Sequence, residues 1–93
     1  MYSLEIDAKL LEKFRKLRHR DSKQLAEVSK KVNKILEDPH HFEHLELVKG
    51  KFHRVHVDRS FVLVYSIDEA RNIVILHEYD HHDNVYVHPH VDN

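Results

Sequence analysis

The chain has 93 residues and 11 histidines, with 15 Lys+Arg against 16 Asp+Glu, a formal charge of -1, and no Cys or Trp. That length suits one small domain, and the lack of cysteine excludes a disulfide scaffold or a Cys-based zinc finger and fits a reducing compartment. No apolar run approaches the roughly 18 residues of a membrane span, and the start Met1-Tyr2-Ser3-Leu4-Glu5 has neither the basic opening nor the apolar stretch of a secretory leader, so a cytoplasmic location with no membrane contact is expected.

The elements follow from hydrophobic period. Tyr2, Leu4 and Ile6 alternate with Ser3, Glu5 and Asp7, which predicts a short half-buried strand. Leu10, Leu11, Phe14 and Leu17 recur at helical spacing among Lys and Arg, which predicts an amphipathic helix. Asp21 or Ser22 can cap a second helix whose apolar face is Leu25, Val28, Val32, Ile35 and Leu36, with Gln24 placed to complete a capping-box-like pair with Asp21. Pro39 ends that helix, because proline disfavours the helical region for the residue before it. The two helices are expected to form a hairpin turning near His19–Ser22.

After Pro39 the period falls to 2. Residues 52–58 read as a strand, and Leu45–Val48 as a short strand or lead-in. Residues 61–67 are a continuous apolar run, hence a central strand. Asp68–Asn72 reads as a polar turn and residues 73–79 as a further strand, making a hairpin over 61–79. The order β-α-α-β-β-β implies an α+β fold with a two-helix hairpin on one face of a small, mainly antiparallel sheet. Residues 1–86 are expected to be the single domain and residues 87–93 a frayed tail.

Alternation over 52–58 directs Val55 and Val57 to the helices and leaves Arg54 and His56 on the other face, unless a bulge swaps the faces. The charge is divided: residues 1–36 carry ten Lys/Arg against five Asp/Glu, and residues 37–93 five against eleven. A basic half is a possible nucleic-acid footprint, although Lys-rich helices more often present only a solvated face.

Three groupings carry chemistry: Lys49, Lys51, Arg54, His56 and Arg59; Asp80-His81-His82-Asp83 with Tyr86; and the tail pair His88 and His90. One reaction open to the first two is metal-free RNA cleavage. The substrate 2′-OH attacks the adjacent phosphate, so the protein need only move protons and stabilise charge. Imidazole, with an ordinary pKa of about 6.5, is accessible in both protonation states near neutrality. The second grouping also holds competent Zn or Ni ligands, but adjacent residues rarely ligate one ion together, so no metal and no cofactor are assigned. His40, His41 and His44 read as a loop between helix and sheet, and His77 as a histidine at the edge of the core. Gly50, the one glycine, suits a turn or close approach, and no phosphate-loop motif is present.

The segment from Val48 to Tyr65, with its Arg-Val-His-Val and Phe-Val-Leu-Val-Tyr strands, and the closing Asp80-His-His-Asp-Asn-Val-Tyr86 resemble the RelE/ParE toxin superfamily, nearest to the RelE/YafQ-like mRNA interferases. The resemblance implies the toxin of a type II toxin–antitoxin system, a ribosome-dependent mRNA endoribonuclease that inhibits translation. It implies His56 and His82 as acid–base residues and Tyr86 as the closing aromatic. Phe61 corresponds to an aromatic beside the site. Lys49, Lys51, Arg54 and Arg59 would bind RNA phosphate. The partners implied are a cognate antitoxin, in a heterotetramer among other assemblies, and the ribosome with mRNA. Val62 stands where the RelE branch has arginine, and Ser60 where the YafQ-like branch is acidic. These departures keep a second reading open: a non-catalytic or ParE-like binding module, such as a gyrase inhibitor. A metal-binding regulatory domain is a third.

Overall fold

A computed structural model describes residues 1–42, 44–47 and 50–84, with the side chains of 44–47, 50 and 51 left undescribed. The elements are β1 (Ser3–Ile6), α1 (Ala8–Arg20), α2 (Ser22–Glu37), β2 (His44–Leu47), β3 (Gly50–His56), β4 (Phe61–Asp68) and β5 (Ile73–His81). The β-α-α-β-β-β order expected from the sequence is present, and the segment read as a short strand or lead-in forms the additional strand β2. His44, expected in a loop, opens that strand.

The sheet order is β1-β5-β4-β3-β2. β1 pairs parallel with β5, and every other pairing is antiparallel. The parallel pair is possible because the helical hairpin supplies the long crossover such a pair needs.

Each helix starts on a carboxylate. Asp7 accepts from the Lys9 and Leu10 amides at 3.0 and 3.2 Å and so caps α1. Asp21 serves both helices: its N–H donates to Leu17 O at 2.7 Å, and its Oδ1 accepts from the Gln24 amide at 3.1 Å. The hairpin turns on this one residue. The reciprocal arm of a capping box is not made, because the Gln24 side chain donates instead to the Tyr79 hydroxyl at 2.7 Å. α2 ends at Glu37, two residues before Pro39.

The core lies between the helices and one face of the sheet. Leu10, Phe14, Leu17, Val28, Val32 and Ile35 pack on Val55, Val57, Leu63, Tyr65, Val74, Leu76 and Tyr79. Tyr65 is fully buried, and its hydroxyl donates to Pro39 O at 2.5 Å, satisfying the one polar atom burial would otherwise strand. His53 stacks on the Tyr65 ring at 5.0 Å and 12°. Val62 and Val64, with Phe52, form a second cluster on the opposite face.

A bulge occurs, but in the β4–β5 ladder. Val64 pairs with Glu78 and Tyr65 with Leu76, so His77 is the extra residue. The extra residue lets both Leu76 and Tyr79 reach the helix-facing core. His77 is left outside, edge-on to Phe52 at 5.2 Å and with its Nε2 2.6 Å from Ser66 Oγ. The 69–72 turn uses Asn72 at φ 55°, a left-handed conformation that asparagine tolerates better than most residues. Gly50 needs no such freedom: no glycine has positive φ, and it pairs with Leu47 at the start of β3.

Candidate functional site

β3 carries Lys51, Arg54 and His56 of the first grouping. Val55 and Val57 lie in the helix-facing core, which puts Arg54 and His56 on the opposite face, as alternation requires. Strand register extends each into a row: Arg54–Val64–Glu78 and His56–Val62–Asp80. At a strand spacing of about 4.8 Å, the ends of each row are about 10 Å apart. His56 is exposed, whereas Arg54, the cross-strand partner of Val64, is only 9% exposed. Its guanidinium is therefore a group of the sheet surface rather than a free arm.

The β3–β4 turn brings the next residues in. Asp58 Oδ1 accepts from the Ser60 and Phe61 amides at 2.8 and 2.9 Å, which shapes the turn that exposes Arg59. Burial works against the Asp58 carboxylate, but these amides, the Gln24 side chain and nearby His56 outweigh it and hold its pKa below the usual value. His82 arrives at the same turn from the other end of the fold: its N–H donates to Ser60 O at 2.8 Å. Its ring is stacked against His81 at 4.7 Å, with Nδ1 3.0 Å from Asp83 Oδ1. The structure thus places His56, Arg59 and His82 around one end of the sheet, although the two histidines lie 26 positions apart.

Phe61 lies elsewhere. It stacks on Tyr79 at 5.2 Å and 13° and meets His81 edge-on at 5.8 Å, packed against the helix-facing core. There it lines a cavity of about 460 Å³ with Lys13, Arg20, Gln24, Tyr79 and Asp80. It is on the other face of the sheet from Arg54 and His56, because successive residues of β4 alternate and Val62, not Phe61, pairs with His56. Lys51 belongs to β3, paired with Glu46, and its side chain lies outside the described atoms. Lys49, Tyr86, His88 and His90 lie outside the described residues.

Sequence reasoning missed Lys13 and its tie to Asp80. Lys13 Nζ donates to Tyr79 O at 2.6 Å and lies 3.7 Å from Asp80 Oδ2. Asp80 Oδ1 also accepts from the His81 amide at 2.7 Å and from Asn84 Nδ2 at 3.0 Å. Asp80, read in the linear chain only as a member of the second grouping, is thus an anchor between α1, the end of β5 and the turn after it. No local signal couples Lys13 to Asp80, which lie 67 positions apart. No helix among the described residues is long and apolar enough to cross a membrane.

No family model matches the chain. A protein named for a RelE-type toxin, RelE4 of Methanocaldococcus jannaschii, is 44% identical over 86 residues, covering 92% of each chain. Isolated Escherichia coli RelE toxin is similar in structure with a TM-score of 0.67 at 22% identity, covering 87% of this chain and 84% of its own. The archaeal RelE–RelB complex from Pyrococcus horikoshii gives a TM-score of 0.68 at 12% identity, over 86% and 93%. At those identities the two structures bear on the fold alone, and the fold is theirs: a helical pair on a mixed sheet.

Proposed function

Since the chain belongs to the RelE toxin family, we propose that it is the toxin of a type II toxin–antitoxin pair and cleaves mRNA on the ribosome with histidine acid–base chemistry. What supports this reading is that His56 at the end of β3, Arg59 in the β3–β4 turn and the His82 backbone bonded to Ser60 lie at one end of the sheet. One histidine removes the proton of a substrate 2′-OH, which attacks the adjacent phosphorus. The other gives a proton to the departing 5′-oxygen, leaving a 2′,3′-cyclic phosphate and a 5′-hydroxyl. Arg59, with Arg54, Lys49 and Lys51, offsets phosphate charge, and Tyr86 stacks on a base. The helices supply the docking surface: Lys9, Lys16, Arg18, Lys23 and Lys34 are exposed on α1 and α2. The RelE–RelB complex of the archaeal relative supports a cognate antitoxin as partner.

The test is induced expression together with cleavage mapping on translating ribosomes. Removing a general acid or base costs about 10²–10⁴ in rate, so His56→Ala and His82→Ala should each lower cleavage by that order and relieve growth arrest. Arrest that persists unchanged in the double variant sinks the assignment. A second reading, a binding module of the same fold, is favoured by the near-burial of Arg54, which restricts its reach toward phosphate. Inhibition of gyrase supercoiling with no RNA cleavage would select it.

A further inference from the structure

The Asp80-His81-His82-Asp83 run is only partly used by acid–base chemistry. In a continuing strand, adjacent side chains would point to opposite faces and could not share an ion. β5 stops at His81, however, and a helical turn occupies 82–84. The change of backbone swings three consecutive side chains to one side, where a ligand atom from each of His81, His82 and Asp83 lies within 4.8 Å of the others.

From this geometry we propose that His81, His82 and Asp83 form a binding site for a first-row transition-metal dication of the Zn²⁺ or Ni²⁺ type. His82 Nδ1 is 3.0 Å from Asp83 Oδ1, and His81 Nδ1 is 3.6 Å from Asp83 Oδ2. Bonds of about 2.0–2.1 Å in a tetrahedral site set neighbouring donors about 3.3 Å apart, a value these two separations bracket. The imidazoles lie nearly parallel at 26°, so modest side-chain rotation closes the set. His81 Nδ1 accepts from the Asp83 amide at 3.3 Å, a long bond that an ion at this nitrogen displaces.

The scaffold beneath is held at both ends. His82 N–H donates to Ser60 O at 2.8 Å, and Asp80 accepts from the His81 amide and Asn84 while meeting Lys13. These contacts fix the backbone from which the three side chains project. Two imidazoles and a carboxylate suit Zn²⁺ and Ni²⁺ better than Mg²⁺ or Ca²⁺. Three protein donors leave a fourth position for water. An ion here occupies a His82 nitrogen, so loading and proton transfer at His82 exclude each other; this consequence rests on the catalytic reading of His82, while the site itself does not.

The experiment is calorimetric titration of the full chain with ZnCl₂ and, separately, NiCl₂, with circular dichroism to verify that each variant is folded. One equivalent should bind, at least tenfold more weakly in His81→Ala and in Asp83→Asn. His40→Ala/His41→Ala and His88→Ala/His90→Ala should bind as the parent does. Affinity unchanged in His81→Ala and Asp83→Asn overturns the site, as does loss confined to the His88→Ala/His90→Ala variant. Weak binding of many equivalents means an adventitious ion only and overturns it too. No RNA is present, so a chain without nuclease activity gives the same result. Where cleavage is measurable, one equivalent of Zn²⁺ should lower it at least tenfold in the parent and leave His81→Ala unaffected. Equal inhibition of both overturns the coupling to His82.

Discussion

His77 shows how one residue's role depends on where a strand goes irregular. Placed at the bulge, it keeps an exposed edge while its inner side meets Phe52 and Ser66. Desolvation lowers its pKa below the ordinary 6.5, and the Asp7 carboxylate only partly opposes that. A histidine whose folded pKa is depressed binds fewer protons folded than unfolded below about pH 6.5. Its contribution to stability is therefore complete above the unfolded pKa and is lost as pH falls through it toward the folded value. His77→Gln should flatten that part of the profile, so the melting temperature should fall less between pH 7.5 and 5.5 than in the parent. Equal losses in both proteins would refute this role. The sequence places His77 at the edge of the core, but period-2 alternation does not reveal the bulge, since one extra residue leaves the apolar composition of the strand unchanged.

Among the elements, the helical hairpin is the most economical. Asp21 closes α1 with its N–H and opens α2 with its carboxylate. Asp21→Ala removes the N-cap acceptor and should cost about 1 kcal/mol, or about 4–8 °C in melting temperature for a domain of this size, read by thermal unfolding. A shift below one degree would mean that another group caps α2. The cap was legible because its chemistry is local: the residue types and the three-residue spacing are both written in the chain. The destination of the Gln24 side chain was not, since Tyr79 lies 55 positions away. The same contrast holds in the sheet. Alternation placed Arg54 and His56 on one face correctly, while the end of β5 at His81, which turns adjacent histidines toward one another, has no period to announce it.

For the molecule as a whole, the hydrophobic core joins both helices to four strands, β1 and β3 to β5, through residues such as Ile35, Leu63 and Leu76, each 0% exposed. Ile35→Ala should cost about 2–5 kcal/mol, a large part of the 5–15 kcal/mol typical of a domain. Denaturant unfolding should remain a single transition with a lower midpoint; two separate transitions would show that the helices and the sheet do not share one core. The charge division also survives folding, with the basic residues on the helices. Three acidic residues of the second half are held by neighbours: Asp80 by Lys13 of the basic half and by Asn84, Asp68 by Arg71 at 2.7 Å, and Glu69 by His40 at 2.8 Å.

Sequence alone determined the α+β class, the element order, an N-cap for α2 at Asp21 or Ser22, the face of β3 that carries Arg54 and His56, and the resemblance to a toxin family. Each depends on interactions within a few residues or on a repeating period, which the chain states directly. Tertiary structure alone decided that His82 meets the β3–β4 turn through Ser60, that Phe61 lies on the face opposite His56, that Asp80 pairs with Lys13, and that His81, His82 and Asp83 converge. Three of these arise from contacts between residues far apart in sequence or from which face a residue takes once strands are paired. The fourth comes from a strand that ends where the sheet no longer supports it.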